Sequence, residues 1–295
     1  MHICDHHLTL DYEFHDDVLP LAQLEYDAFQ TNPVALALDA VHSSAFHRGL
    51  GTSLLASPTI PVHNAQLVEY AKQAYTKANL VLVASGASAE ELKPHLEQFW
   101  KDLPAGQALT SPASKFTGGE TRISHRSAQN VFAIAFPGSS LYGANASPEQ
   151  IVLSHLLGGL SPVKWATGHS AFAELAAGIS HNVNLWATNI AYSDAGLFTI
   201  LATGSASEVS KAASGAVKLL RDISKGGNAI KPEDLKRAIA AARYATYAAT
   251  EARLSGLESI GQAVLSTGKV ADVDSVVSTF DKVTPEKLKQ VPLDI

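Results

Sequence analysis

Apolar positions recur at helical spacing through residues 12–30, and Pro20 is expected to interrupt that run. Asn32 followed by Pro33 restarts the pattern: Asn suits an N-cap, and Pro suits the first helical turn. The helix PVALALDAVHSSAF is expected to stop near Gly49 and Gly51, before a loop containing Pro58 and Pro61. Residues 64–77 read as an amphipathic helix with Leu67, Tyr70, Ala71 and Ala74 on one face. The run NLVLVASG at 79–86 reads as a buried strand. Ser88 and Glu91 have the spacing of a capping box, opening a helix that runs to about Leu103.

The pattern then changes. Residues 104–116 (PAGQALTSPASKF) hold two prolines and small polar residues without periodicity, as a linker does. Residues 119–127 and 130–136 read as a pair of strands. Ser147-Pro148-Glu149-Gln150 opens a helix that should stop at Gly158-Gly159, and 172–177 is a short helix. Residues 182–190 and 197–203 are two strands around Tyr192-Ser193-Asp194-Ala195-Gly196. That is turn chemistry, because Ser and Asp bond nearby amides and Gly tolerates positive φ. Helices are expected over roughly 206–225, 232–252, 254–267, 272–280 and 285–291, with Pro232 and Pro285 in first turns and Thr284 as an N-cap. The fold class is α+β.

Composition narrows this. Hydrophobic residues make up 46% and charged residues 17% of 295, enough apolar side chain for a packed core. The formal net charge is −6, and no dense basic stripe marks a nucleic-acid partner. Cys4 is the only cysteine, so an internal disulfide framework is excluded. No apolar run reaches the ~18–20 residues of a membrane span, so membrane association is expected only through partner subunits. The acidic, histidine-rich start (MHICDHHLTLDYEFHDD) does not read as a mitochondrial presequence.

Candidate chemistry is sparse. His2, His6, His7 and His15 are the obvious metal suspects, yet adjacent side chains rarely converge on one ion, and a loose terminus is the expectation. His42 and His47 are spaced wrongly for a shared helical face and are read as packing and surface residues. Gly118-Gly119 and Gly158-Gly159 do not continue as phosphate loops, and Lys164 is at the wrong spacing, so both pairs are read as turn glycines. Ser139-Ser140 and Ser193-Asp194 lack a nucleophile elbow. The alanine-rich stretch at 238–250 is read as a tightly packed domain helix. No catalytic, metal or cofactor residue is assigned. Tyr192, Ser193, Asp194 and Gly196 are assigned as a structural turn.

Four segments, in order, carry a resemblance to the mitochondrial processing peptidase family of pitrilysin-like proteins. They are ALDAVHSSAF with RGLGTSLLAS (37–57), LVEYAKQAYTKANLVLVASG (67–86), FTGGETR (116–122), and HLLGGLSPVKWATG (155–168) with AYSDAGLF (191–198). The resemblance implies two α/β repeats, each an antiparallel-type sheet packed with helices, the first only partly present. Residues 1–103 would be the back half of the first repeat, 104–116 the linker, and 117–295 a second repeat missing its C-terminal end. Active members carry an H-x-x-E-H zinc motif that is not found in this chain.

LLGG followed by SPVKW resembles the core-protein branch of that family. This implies a non-catalytic scaffold in respiratory complex III (ubiquinol–cytochrome c reductase), on the matrix side of the mitochondrial inner membrane. Its partners would be another core protein and the remaining complex III subunits, in a dimeric complex. The alternative is a non-catalytic, substrate-binding subunit of a zinc processing peptidase. With so little of the first sheet, the 79–86 strand would have unpaired edges, and residues 1–295 alone are expected to be poorly soluble.

Overall fold

The computed structural model describes residues 17–57, 62–142, 145–159, 168–225 and 230–291. The histidine-rich start, Pro58, Pro61 and Lys164 lie outside these. The N-terminal part is helical: α1 (Leu19–Gln30), α2 (Pro33–Phe46), α3 (Asn64–Ala74) and α4 (Ala89–Asp102). The C-terminal part runs β1 (Asn130–Pro137), α5 (Pro148–Leu157), α6 (Ala171–Ile179), β2 (Asn184–Ala191), β3 (Gly196–Gly204) and α7 (Ala206–Ser224). It ends with α8 (Pro232–Glu251), α9 (Arg253–Thr267), α10 (Val273–Phe280) and α11 (Pro285–Lys289).

Local signals set most helix ends. Asn32 Oδ1 accepts from the amides of Val34 and Ala35, both at 3.1 Å. Ser88 Oγ accepts from the Glu91 amide at 3.2 Å while the Glu91 carboxylate accepts from the Ser88 amide at 2.9 Å, a complete capping box. Those bonds hold the Glu91 carboxyl below its usual range. Ser147 and Thr284 cap α5 and α11, and Gly158 ends α5. Pro20 does not interrupt a helix but opens α1, where its missing N–H costs nothing.

Three antiparallel strands form a sheet in the order β1-β3-β2. Asn130 pairs with Gly204 and Phe136 with Phe198; Asn184 pairs with Thr203 and Ala191 with Gly196. Central β3 is buried at every position, and its side chains alternate between two clusters. Phe198, Ile200 and Ala202 join Phe136, Leu185, Leu153, Phe172, Leu220 and Phe280 in the main core under α5–α11. Leu197 points the other way, onto Ala45 and Phe46 of α2, with Phe116, Ala135 and Ile190 around them. Helix α2 is therefore packed on the opposite sheet face from the C-terminal helices.

Two expected strands do not form. Residues 80–84 carry no regular structure, and Val81 and Leu82 are 37% and 50% exposed. Residues 119–127 are likewise outside the sheet. A strand needs a ladder partner, and among the described residues neither segment is paired in the sheet. Residues 119–127 run against α2 and the end of α1 instead: Ser44 Oγ and Thr121 Oγ1 lie 2.7 Å apart, and His125 Nε2 donates to the Gln30 carbonyl at 2.8 Å. Helix α3 ends at Ala74, and Tyr70 is 63% exposed rather than facing the core. Helix α8 buries Leu235, Ala238 and Ala242, but Tyr244 lies off that stripe and is 75% exposed, so only its first half is tightly packed.

Candidate functional site at the hairpin turn

The β2–β3 hairpin closes through Tyr192, Ser193, Asp194 and Ala195, with the Tyr192 amide donating to the Ala195 carbonyl at 2.8 Å. Ser193 and Asp194 are exposed at the tip. The Asp194 carboxylate accepts from the Ser114 amide at 2.8 Å and from Ser114 Oγ at 3.2 Å. The Asp194 carbonyl accepts from Asn145 Nδ2 at 3.1 Å. The Tyr192 carbonyl accepts from the Leu141 amide at 2.8 Å.

The Tyr192 side chain reaches α2. Its hydroxyl lies 2.7 Å from His42 Nε2, with the rings edge to face at 5.8 Å between centroids. His42 Nδ1 is 2.7 Å from the Leu38 carbonyl. A carbonyl only accepts, so Nδ1 donates to Leu38, and Nε2 is left facing the Tyr192 hydroxyl. Partial burial holds the Tyr192 phenol above its usual range. His47 Nδ1 faces the Ser43 carbonyl at 3.1 Å and is exposed.

Gly196 is buried at the end of the turn, where its carbonyl accepts from the Gly138 amide at 2.8 Å. A Cβ at Gly196 would overlap the Ser139 carbonyl, so the position admits no side chain without backbone movement. Asn189 brackets the same strand end: its Oδ1 accepts from the Ser139 amide at 2.9 Å and its Nδ2 donates to the Ser139 carbonyl at 3.0 Å. Ser139 and Ser140 are buried, and Ser139 Oγ accepts from the Ser147 amide at 2.7 Å. These hydroxyls serve the backbone.

The other glycine pairs lie elsewhere. Gly159 (φ 145°) sits against β2, where a Cβ would overlap the Trp186 side chain, and the Gly158 carbonyl accepts from the Ala187 amide at 2.9 Å. Gly118 has φ 75°, and Gly119 faces the Ser44 carbonyl of α2. A groove of about 740 Å³ lies between α2, residues 116–129 and the edge strand β1. A second, of about 570 Å³, borders β2 and includes His155, whose burial pushes its imidazole below 6.5. Among the described residues no three His, Cys, Asp or Glu are grouped to hold a metal ion, and no helix is long and apolar enough to cross a membrane.

The structure thus gathers Tyr192, Asp194 and Gly196 at one hub and leaves both glycine pairs outside it. Sequence reasoning missed the partners. His42 is 150 residues from Tyr192, and Ser114 is 80 from Asp194. No spacing rule links such positions. The turn itself was the available signal.

The chain belongs to the peptidase M16 inactive domain family, whose profile matches residues 62–242. The processing-peptidase-like resemblance is therefore borne out. The chain is 40% identical over 261 residues to cytochrome b-c1 complex subunit 2, mitochondrial, of Neurospora crassa, covering 86% of this chain and 56% of that protein. The Schizosaccharomyces pombe protein of the same name is 31% identical, covering 96% and 64%. A probable mitochondrial-processing peptidase subunit alpha-1 of Arabidopsis thaliana is 27% identical, covering 93% and 56%. A chain of complex III2 from Candida albicans, bound to Inz-5, superposes with TM-score 0.79 at 18% identity, covering 92% of this chain and 66% of that one. The chain spans roughly three-fifths of the length of the curated relatives it matches.

Proposed function

We propose that this chain is part of a non-catalytic core subunit of mitochondrial ubiquinol–cytochrome c reductase, of the subunit 2 type. Its work is assembly, not chemistry. The observation that carries this reading is the 40% identity with the Neurospora crassa subunit 2. The geometry agrees: His42 is engaged at both ring nitrogens, Tyr192 at its hydroxyl and Asp194 at both carboxylate oxygens, all in bonds within the chain. Its partners are the first core protein and the other complex III subunits, in a dimeric complex on the matrix side of the inner membrane. Membrane attachment runs through those partners.

In this reading residues 1–103 are the back half of a first repeat, 104–116 a linker, and 117–295 most of a second. Tyr192, Ser193, Asp194 and Gly196 form a structural turn, while Gly118, Gly119, Gly158 and Gly159 are turn glycines. No cofactor is held.

A second reading, a substrate-binding subunit of a zinc processing peptidase, is favoured by the 27% identity with the plant alpha subunit. Isolation of the intact protein with its native partners separates the two. Partners that are complex III subunits, with no chelator-sensitive cleavage of a presequence peptide, are expected. Co-isolation of a zinc-bearing partner with such cleavage would overturn the scaffold reading.

A further inference from the structure

We infer that the 192–196 turn is a clasp that closes the linker and helix α2 onto the C-terminal sheet, making the two parts of the chain move as one body. The inference stands on bonds within the chain and is independent of the assembly proposed above.

The linker is tied at both ends. Near its start, Asn79 Oδ1 accepts from the Leu109 amide at 2.8 Å, and Asn79 Nδ2 donates to the Gln107 carbonyl at 3.1 Å. The Lys77 amide donates to the Pro104 carbonyl at 2.9 Å. These bonds fasten residues 104–109 to the N-terminal part. At its far end, Ser114 gives both of its donors to Asp194. Thr117 gives its amide and its hydroxyl to the Ala45 carbonyl, at 2.7 Å and 3.0 Å. Residues 110–113 lie between the two fastenings, exposed and without regular structure.

Two residues of a single turn therefore grip two different pieces. Asp194 holds the linker and Tyr192 holds α2. Both bonds sit beside the small apolar cluster of Phe46, Leu197 and Ala45, which fixes α2 against the sheet. A turn fixed on a rigid hairpin by Gly196 keeps both grips in register. Opened, the stretch SPASK becomes a flexible tether of proline and small residues. The contact to Asp194 is a charge-assisted hydrogen bond, the stronger kind, so its loss should be felt at the linker first.

Hydrogen exchange of the intact protein in its native assembly tests this. In Asp194→Ala, which removes both bonds from Ser114, peptides covering 110–117 should exchange faster by about tenfold or more, the factor that a single charge-assisted bond would already give. Peptides covering 197–204 should stay protected. Tyr192→Phe keeps the ring and removes only the grip on His42; peptides covering 38–46 should then exchange faster. The double variant should accelerate both regions by more than the product of the single effects, as expected when two grips share one opening. Unchanged exchange at 110–117 in the double variant would overturn the clasp. If Asp194→Ala disturbs the whole sheet, Ser114→Ala, which removes only the hydroxyl of a half-buried linker residue, provides the milder probe. Acceleration confined to the linker supports the clasp, and equal acceleration of linker and sheet overturns it.

Discussion

Helices α1 and α7 are both ordinary amphipathic segments, yet α1 buries no residue while α7 buries Val209, Ala212, Ala216, Leu220 and Ile223. The difference is the sheet. Helix α7 lies over the β1–β3 face, where Phe198 and Ile200 complete the core. Among the described residues, helix α1 packs mainly along α2 and leaves Leu21 and Leu24 59% and 66% exposed. Helix formation is local, whereas burial requires a partner surface. In the described N-terminal part, the end of α2, which reaches Leu197, sits on such a surface.

The sharpest way to break this comparison is a matched pair of truncations. Phe198→Ala in β3 removes a fully buried ring from the core and should destabilise the intact protein by about 3–5 kcal/mol in denaturant unfolding. Leu24→Ala in α1 should stay within about 0.5 kcal/mol of the parent, as exposed substitutions do. Similar losses at both sites would mean that α1 is covered in the native assembly.

Gly196→Ala should come next. Its Cβ meets the Ser139 carbonyl, and overpacking of this kind costs about 1–3 kcal/mol, read as a lowered denaturation midpoint. Tyr192→Phe should cost about 1 kcal/mol, the net worth of one hydrogen bond, and a Tyr192→Phe/His42→Ala double-mutant cycle should show the two to be coupled.

The smallest effect is a pH slope. Burial keeps the His155 imidazole below 6.5 in the folded protein, so the unfolded chain binds the proton first. The stability this neutral ring allows is complete above about pH 6.5 and declines as pH falls through and below that value. His155→Gln should flatten that part of the pH profile of unfolding while leaving the neutral-pH profile shape unchanged.

Much of this was legible in the sequence. Asn32, Ser88 with Glu91, Ser147, Gly158 and Thr284 each mark a helix end by side chains acting within a few residues. The β2–β3 hairpin was legible for the same reason. The misread strands at 79–86 and 119–127 share one cause. Both have strand-like composition, but a strand exists only through its neighbours, and composition does not name them. The site was half legible. Tyr192, Asp194 and Gly196 stood out as a turn, but the partners His42 and Ser114 meet them only after the chain has folded back on itself.

The turn commits its phenol, carboxylate and glycine to contacts within the chain, in keeping with the proposed scaffold role. The most direct test of that claim is the visible difference spectrum of native material captured through the intact protein in mild detergent. The account predicts b- and c-type haem bands co-purifying with it in constant ratio. A haem-free complex that cleaves presequence peptides would contradict it.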